Sequence, residues 1–237
     1  MGIIYIHSQR WRQVLQRTRL KERTLPDYTK GEEIFNMVSH AVGAAFGVFA
    51  LVTCVITAAK HQNAWSIVSG VIYGVSLLML YTVSSVYHGL PRNTGKKVMQ
   101  VIDHCVIYLL ICGTYTPIVL CALRTYSPVL GWGLFGAVWG VAALGTVFTA
   151  IDLKKYAVLS MVCYIGIGWC VVFAIKPLLK VLPWEAFMWL LAGGIAYTVG
   201  AVLYGLGSRH RYMHSVFHLF VLAGSVMHYV AIIKYIL

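Results

Sequence analysis

Polar and apolar positions divide the chain into a basic, polar opening stretch and seven apolar runs that carry almost no charge. The runs lie near Val38–Ala59, Ala64–His88, Val98–Leu123, Thr125–Ile151, Tyr156–Ile175, Ala186–Gly207 and Tyr212–Ile236. Each is about 20 residues or longer, enough to cross a hydrocarbon core of about 30 Å as a helix. The pattern predicts an all-α polytopic membrane protein with seven transmembrane helices. It places a basic arm over residues 1–33 and one transmembrane domain over 34–237.

Composition agrees with that division. Of 237 residues, 59% are hydrophobic and 11% charged, too little charge for a soluble domain of this length. The net charge of +12 raises the question of nucleic acid, and its distribution argues against it. Arg10, Arg12, Arg17, Arg19, Lys21, Arg23 and Lys30 precede the first run. Arg92, Lys96 and Lys97 follow the second, Lys154 and Lys155 the fourth, and Arg209 and Arg211 the sixth. The alternate connections hold only Lys60, Arg124, Lys176, Lys180 and Lys234. The positive-inside bias therefore predicts a cytoplasmic amino terminus and an external carboxyl terminus. No short apolar stretch with a cleavage-like site precedes the first run, so no removable signal peptide is expected.

Smaller features refine the picture. Trp11, Val14, Leu15 and Thr18 fall near helical spacing among arginines, which permits an amphipathic helix on an anionic leaflet; a solvated arm fits as well. Gly43-x3-Gly47 and Gly136-x3-Gly140 are small-residue faces that would let another helix approach. Pro117 is expected to bend the third span. Lys176–Glu185, with Pro177 and Pro183, reads as a short loop, and Trp65, Trp132 and Trp184 as an aromatic belt at the outer interface. The six cysteines lie in apolar runs without a CxxC pair and read as packing residues.

The candidate chemistry begins with His214-x3-His218. Residues four apart on a helix share a face, so both imidazoles point one way, a usable pair of metal ligands. Alone, the pair fits equally well two histidines that hydrogen-bond inside a bundle. Ser84-x3-His88 closes the second run with the same spacing, and Asp103 lies about 9 Å past Lys97 at 1.5 Å per residue. Asp103 is the only carboxylate well inside an apolar run, where an ionised group is costly without a partner. Alternation of direction brings the end of span two and the starts of spans three and seven to one face. His88, His214 and His218 would then leave a zinc ion one exchangeable position, the catalytic type of site. Asp103 would serve as general base, and Ser84 would hold it or donate to a developing oxyanion.

Asn36, Ser39 and His40 at the start of span one are further candidates for supporting or substrate-contacting groups. His104 reads as a packing histidine, His7, His61 and His210 as solvent-side, and His228 as too far along span seven to join the cluster.

Ser84-x3-His88, Asp103 in the phrase DHCVIYLLICGTYTP, and His214-x3-His218 resemble the hemolysin III family. That family is the bacterial branch of the progestin and adipoQ receptor group, within the CREST superfamily. The likeness covers roughly Thr29 onward. It implies seven helices with the amino terminus inside and zinc on His88, His214 and His218. It also implies Asp103 and Ser84 as partners of a metal-held water. Relatives include ceramide-cleaving amidases, lipid-linked receptors and bacterial proteins tied to membrane homeostasis, and the family name records haemolytic activity. The leading expectation is thus a zinc-dependent hydrolase of a lipid amide or ester bond, with membrane lipids as substrate or ligand. The rivals are a non-catalytic regulator or sensor of membrane homeostasis with structural zinc, and a cytolysin or channel.

Overall fold

A computed structural model describes residues 17–61, 63–206 and 210–237. Among these, seven helices are long and apolar enough to cross a membrane, and there is no strand. They are α1 (Lys30–Lys60), α2 (Ala64–Gly89), α3 (Thr94–Tyr126), α4 (Pro128–Ile151), α5 (Ala157–Val181), α6 (Trp184–Gly205) and α7 (Met213–Tyr235). The chain is a multi-pass membrane protein. Trp11, Val14 and Leu15 of the proposed amphipathic stretch lie outside the described residues, as does His7. Thr18, the fourth member, precedes the first helical turn and donates its N–H to Asp152 Oδ2 at 2.8 Å.

The first helix starts well ahead of Val38. Thr29 caps it with a reciprocal box: Glu32 N–H donates to Thr29 Oγ1 (3.2 Å) while Thr29 N–H donates to Glu32 Oε2 (2.8 Å). Glu32 and Glu33 therefore sit on the first turn of α1, where acids favour the positive end of the helix dipole. Glu32 Oε1 also accepts the N–H of Tyr212, a left-handed residue (φ 60°) just before α7. One carboxylate thus ties the starts of the first and last helices together.

Helices α1 and α2 pack antiparallel along their length. Gly43 lies against the Tyr81 ring, and a Cβ on Gly47 would come within 2.8 Å of the Leu78 backbone. Gly136 and Gly140 behave differently: a Cβ at either would meet nothing within 4 Å. Their spacing matches the first pair, but their face of α4 has no neighbour among the described residues, so the expected close approach does not occur there. Pro117 lies inside α3, and the turns that follow it, Ile118–Leu123, widen to π-type geometry, as happens where a donor is missing from the ladder. The expected loop at Lys176–Glu185 is mostly helix. Pro177 stands in the first turn of the helical segment Ile175–Val181, where its missing N–H has no intrahelical partner to lose. Trp65 and Trp132 meet edge to face at 5.7 Å, and the Arg124 guanidinium lies 4.3 Å from the Trp65 ring centre. All six cysteines are free thiols.

Residues 18–27 run across one end of the bundle as a strap. Arg23 donates to the Ile151 carbonyl at 2.9 Å, Lys97 to the Lys21 carbonyl at 2.7 Å, and Arg92 to the Pro26 carbonyl at 2.8 Å. This is also the end of the bundle where α2 finishes and α3 and α7 begin.

Candidate metal centre

His88 lies in the last turn of α2, and His214 and His218 in the first two turns of α7. One ring nitrogen from each lies within 4.8 Å of the other two. Nε2 of His214 is 3.4 Å from Nε2 of His88 and 3.1 Å from Nε2 of His218. Tetrahedral zinc with Zn–N bonds of about 2.0–2.1 Å separates its ligand nitrogens by about 3.3 Å. The three imidazoles fit such an ion.

The surroundings of His88 turn its Nε2 to the centre. His88 Nδ1 donates to Glu33 Oε2 at 2.7 Å. Glu33 Oε1 in turn meets Lys96 Nζ at 2.8 Å. Lys96 is only 2% exposed, and its ammonium also donates to the carbonyls of His88 (3.2 Å) and Leu90 (3.0 Å), so all three of its protons have acceptors. The Tyr28 ring stacks on His214 with centroids 4.9 Å apart. Burial, then the nearby Tyr204, Glu33 and Asp103, push the Tyr28 hydroxyl well above the usual phenol range, so it stays protonated.

Asp103 and Ser84 share the wall of one cavity of about 180 Å³ with His40, His214 and His218. The Ser84 hydroxyl interacts with the Asp103 carboxylate. Beyond these groups the lining is largely apolar, from Leu80, Ile107, Leu110, Ile165, Phe217 and Val221. The cavity is bounded by α1, through His40, and by α2, α3, α5, α6 and α7, and extends as far as His228.

The remaining candidates fall at varying distances from the cluster. His40 is buried and stacks face to face on His218, centroids 3.6 Å apart, with both ring nitrogens lacking a hydrogen-bond partner among the described residues. Asn36 is wholly buried and its amide has no protein partner. Ser39 is half-buried and donates back to the Asn36 carbonyl at 3.1 Å. His104 does more than pack. It lines the cavity, donates from Nδ1 to the Gln100 carbonyl (2.8 Å) and accepts the Tyr204 hydroxyl at Nε2 (3.2 Å). His228 stays outside the cluster yet lines the far end of the same cavity, donating from Nε2 to the Leu190 carbonyl at 3.0 Å. His61 and His210 are exposed.

Comparison with known proteins fixes the family. The family model described as "Haemolysin-III related" matches residues 28–229. The chain belongs to the haemolysin-III family. Hemolysin-3 of Bacillus cereus is 40% identical over 206 residues, covering 87% of this chain and 92% of its own length. A Hemolysin-3 homolog of Bacillus subtilis is 38% identical over 208 residues, covering 88% of this chain and 96% of its own. More distantly, the human monocyte to macrophage differentiation factor is 27% identical over 208 residues, covering 83% of this chain and 84% of that one. The haemolysin-III match includes all three histidines, Ser84, Asp103 and Glu33, and leaves residues 1–27 and 230–237 outside.

Proposed function

We propose that the protein is a zinc-dependent membrane hydrolase acting on an amide or ester bond of a lipid. One observation carries this reading: the three convergent imidazoles open, through His214 and His218, onto a largely apolar cavity whose wall also bears Asp103 and Ser84. His88, His214 and His218 would hold the ion through Nε2, with three protein ligands leaving a position free. Bound there, zinc supplies Lewis acidity and makes a water acidic near neutral pH.

The chain's own groups do the rest. Asp103 takes a proton from the attacking water and returns it to the leaving group, with the Ser84 hydroxyl fixing which oxygen does so. The apolar wall receives the chain beside the scissile bond and excludes bulk water, which strengthens each electrostatic contact. His40, stacked on His218, holds that ligand ring in plane. The strap-bearing end is the cytoplasmic one on this reading, so the site lies at headgroup depth.

A second reading has its own support. All three imidazoles come from only two helices, so an ion there would tie α2 to α7 and could serve a regulator purely as a strut. One pair of variants separates the two. Asp103→Asn keeps the size of the side chain and removes the base. In the hydrolase it stays folded and zinc-loaded but loses at least about 10²-fold in product formation from lipid amides or esters. His214→Ala loses the metal in either case, and thermal stability with it. Undiminished product formation by a zinc-loaded, stable Asp103→Asn protein removes Asp103 as the base; no product from the zinc-loaded wild type leaves only the strut.

A further inference from the structure

Every imidazole of the cluster is touched from residues 28–40. Tyr28 stacks on His214, Glu33 accepts from His88, and His40 stacks on His218. Only the Glu33 contact is a directional, charge-assisted hydrogen bond, and at 2.7 Å it is short. A carboxylate accepts and never donates when ionised, so it fixes the proton on His88 Nδ1 and leaves the Nε2 lone pair facing His214.

Lys96 makes this arrangement durable. Its ammonium neutralises Glu33 from the far side while capping the His88 and Leu90 carbonyls at the end of α2. One lysine therefore anchors both the main chain of His88 and the carboxylate that orients its ring. A simple stabilising ion pair between α1 and α3 would not need the third member. Here both oxygens of Glu33 are used, one for the cation and one for the imidazole.

From this geometry we infer that Glu33, held by Lys96, is a positioning residue for His88: it sets the tautomer and ring direction with which His88 meets a metal ion. The inference rests on the metal-centre reading above and extends it from the three ligands to the first helix. Its consequence is that docking of the first turn of α1 is part of metal binding.

The test uses the full chain, purified in detergent, stripped of metal and titrated with Zn²⁺ against a chelator and with Co²⁺ by absorption. Glu33→Ala should weaken zinc affinity by about 10–100-fold, the usual effect of removing a group that orients a metal-bound histidine. It should also alter the Co²⁺ ligand-field bands, while the unfolding of the metal-free protein changes far less. Glu33→Gln should recover part of the affinity, because its amide oxygen still accepts the Nδ1 proton without the charge. If Glu33→Ala does not fold, the intermediate affinity of Glu33→Gln carries the test alone. Wild-type affinity and cobalt spectrum in every folded Glu33 variant overturn the positioning role while leaving the metal centre intact. A wild-type protein that takes up neither ion overturns both.

Discussion

The half of the bundle built from α1, α2 and α7 differs in kind from the half built from α4 and α5. In the first, glycines sit against neighbouring side chains and backbone, a capping carboxylate crosses to the start of α7, and Glu33 reaches His88 over 2.7 Å. In the second, Gly131 and Gly145 of α4 are covered, but Gly136, Gly140 and Gly166 meet nothing within 4 Å among the described residues, and α5 passes through a 3-10 stretch at Cys170–Ala174. Both halves border the cavity, but every candidate metal ligand comes from the first. Chemistry that needs positions held to fractions of an ångström is placed on rigid, tightly packed elements. The wall that must receive a ligand of variable shape is left to the more loosely packed helix.

This contrast is breakable. Its largest expected effect is at the two glycine pairs. Gly43→Val forces a branched side chain into the Tyr81 ring, whose hydroxyl bonds Ser225 Oγ at 2.6 Å, and should cost about 1–3 kcal/mol. Gly136→Val, on the open face of α4, should stay within about 0.5 kcal/mol of wild type. Thermal unfolding of the two proteins in the same detergent measures both. Equal losses would erase the distinction between the halves.

A smaller effect belongs to the strap where it reaches the second half. Burial alone would raise the Asp152 carboxyl, but the Thr18 hydroxyl and N–H, then the Lys155 N–H and the nearby Arg23 charge, outweigh it and hold the group down at about 2. Its folded value thus lies below the unfolded one of about 3.9. The stability it contributes is fully present above about pH 4 and is lost as the pH falls toward 2. Asp152→Ala should therefore lower the unfolding midpoint slightly at pH 7, and the gap to wild type should close under acid. A gap that is the same at both pH values contradicts the assignment of the effect to the charge.

How much of this was legible in the sequence depended on whether the signal was local. Seven helices were, because continuous apolar length is a sufficient condition for a span. Asp103 stood out because a carboxylate inside an apolar run is out of place. Glu33 did not: it lies in the phrase KGEE, which looks like an ordinary charged helix start, and its partner His88 is 55 positions away. His104 was placed by its angle to Asp103 on the helix, yet the cavity is wide enough to reach both. The glycine pair in α4 was misread because a spacing identifies a face without saying whether a neighbour covers it. Pro177 suggested a loop because its place in a helical first turn depends on where the preceding 3-10 stretch ends.

The central claim is that His88, His214 and His218 form one metal centre, and X-ray absorption at the zinc edge of the purified, zinc-loaded protein tests it most directly. The expected result is about one zinc per chain, with three imidazole nitrogens and one lighter oxygen ligand at about 2.0–2.1 Å, and loss of that signal in His214→Ala. Zinc absent from the folded protein, or bound in an environment that His214→Ala leaves unchanged, would contradict it.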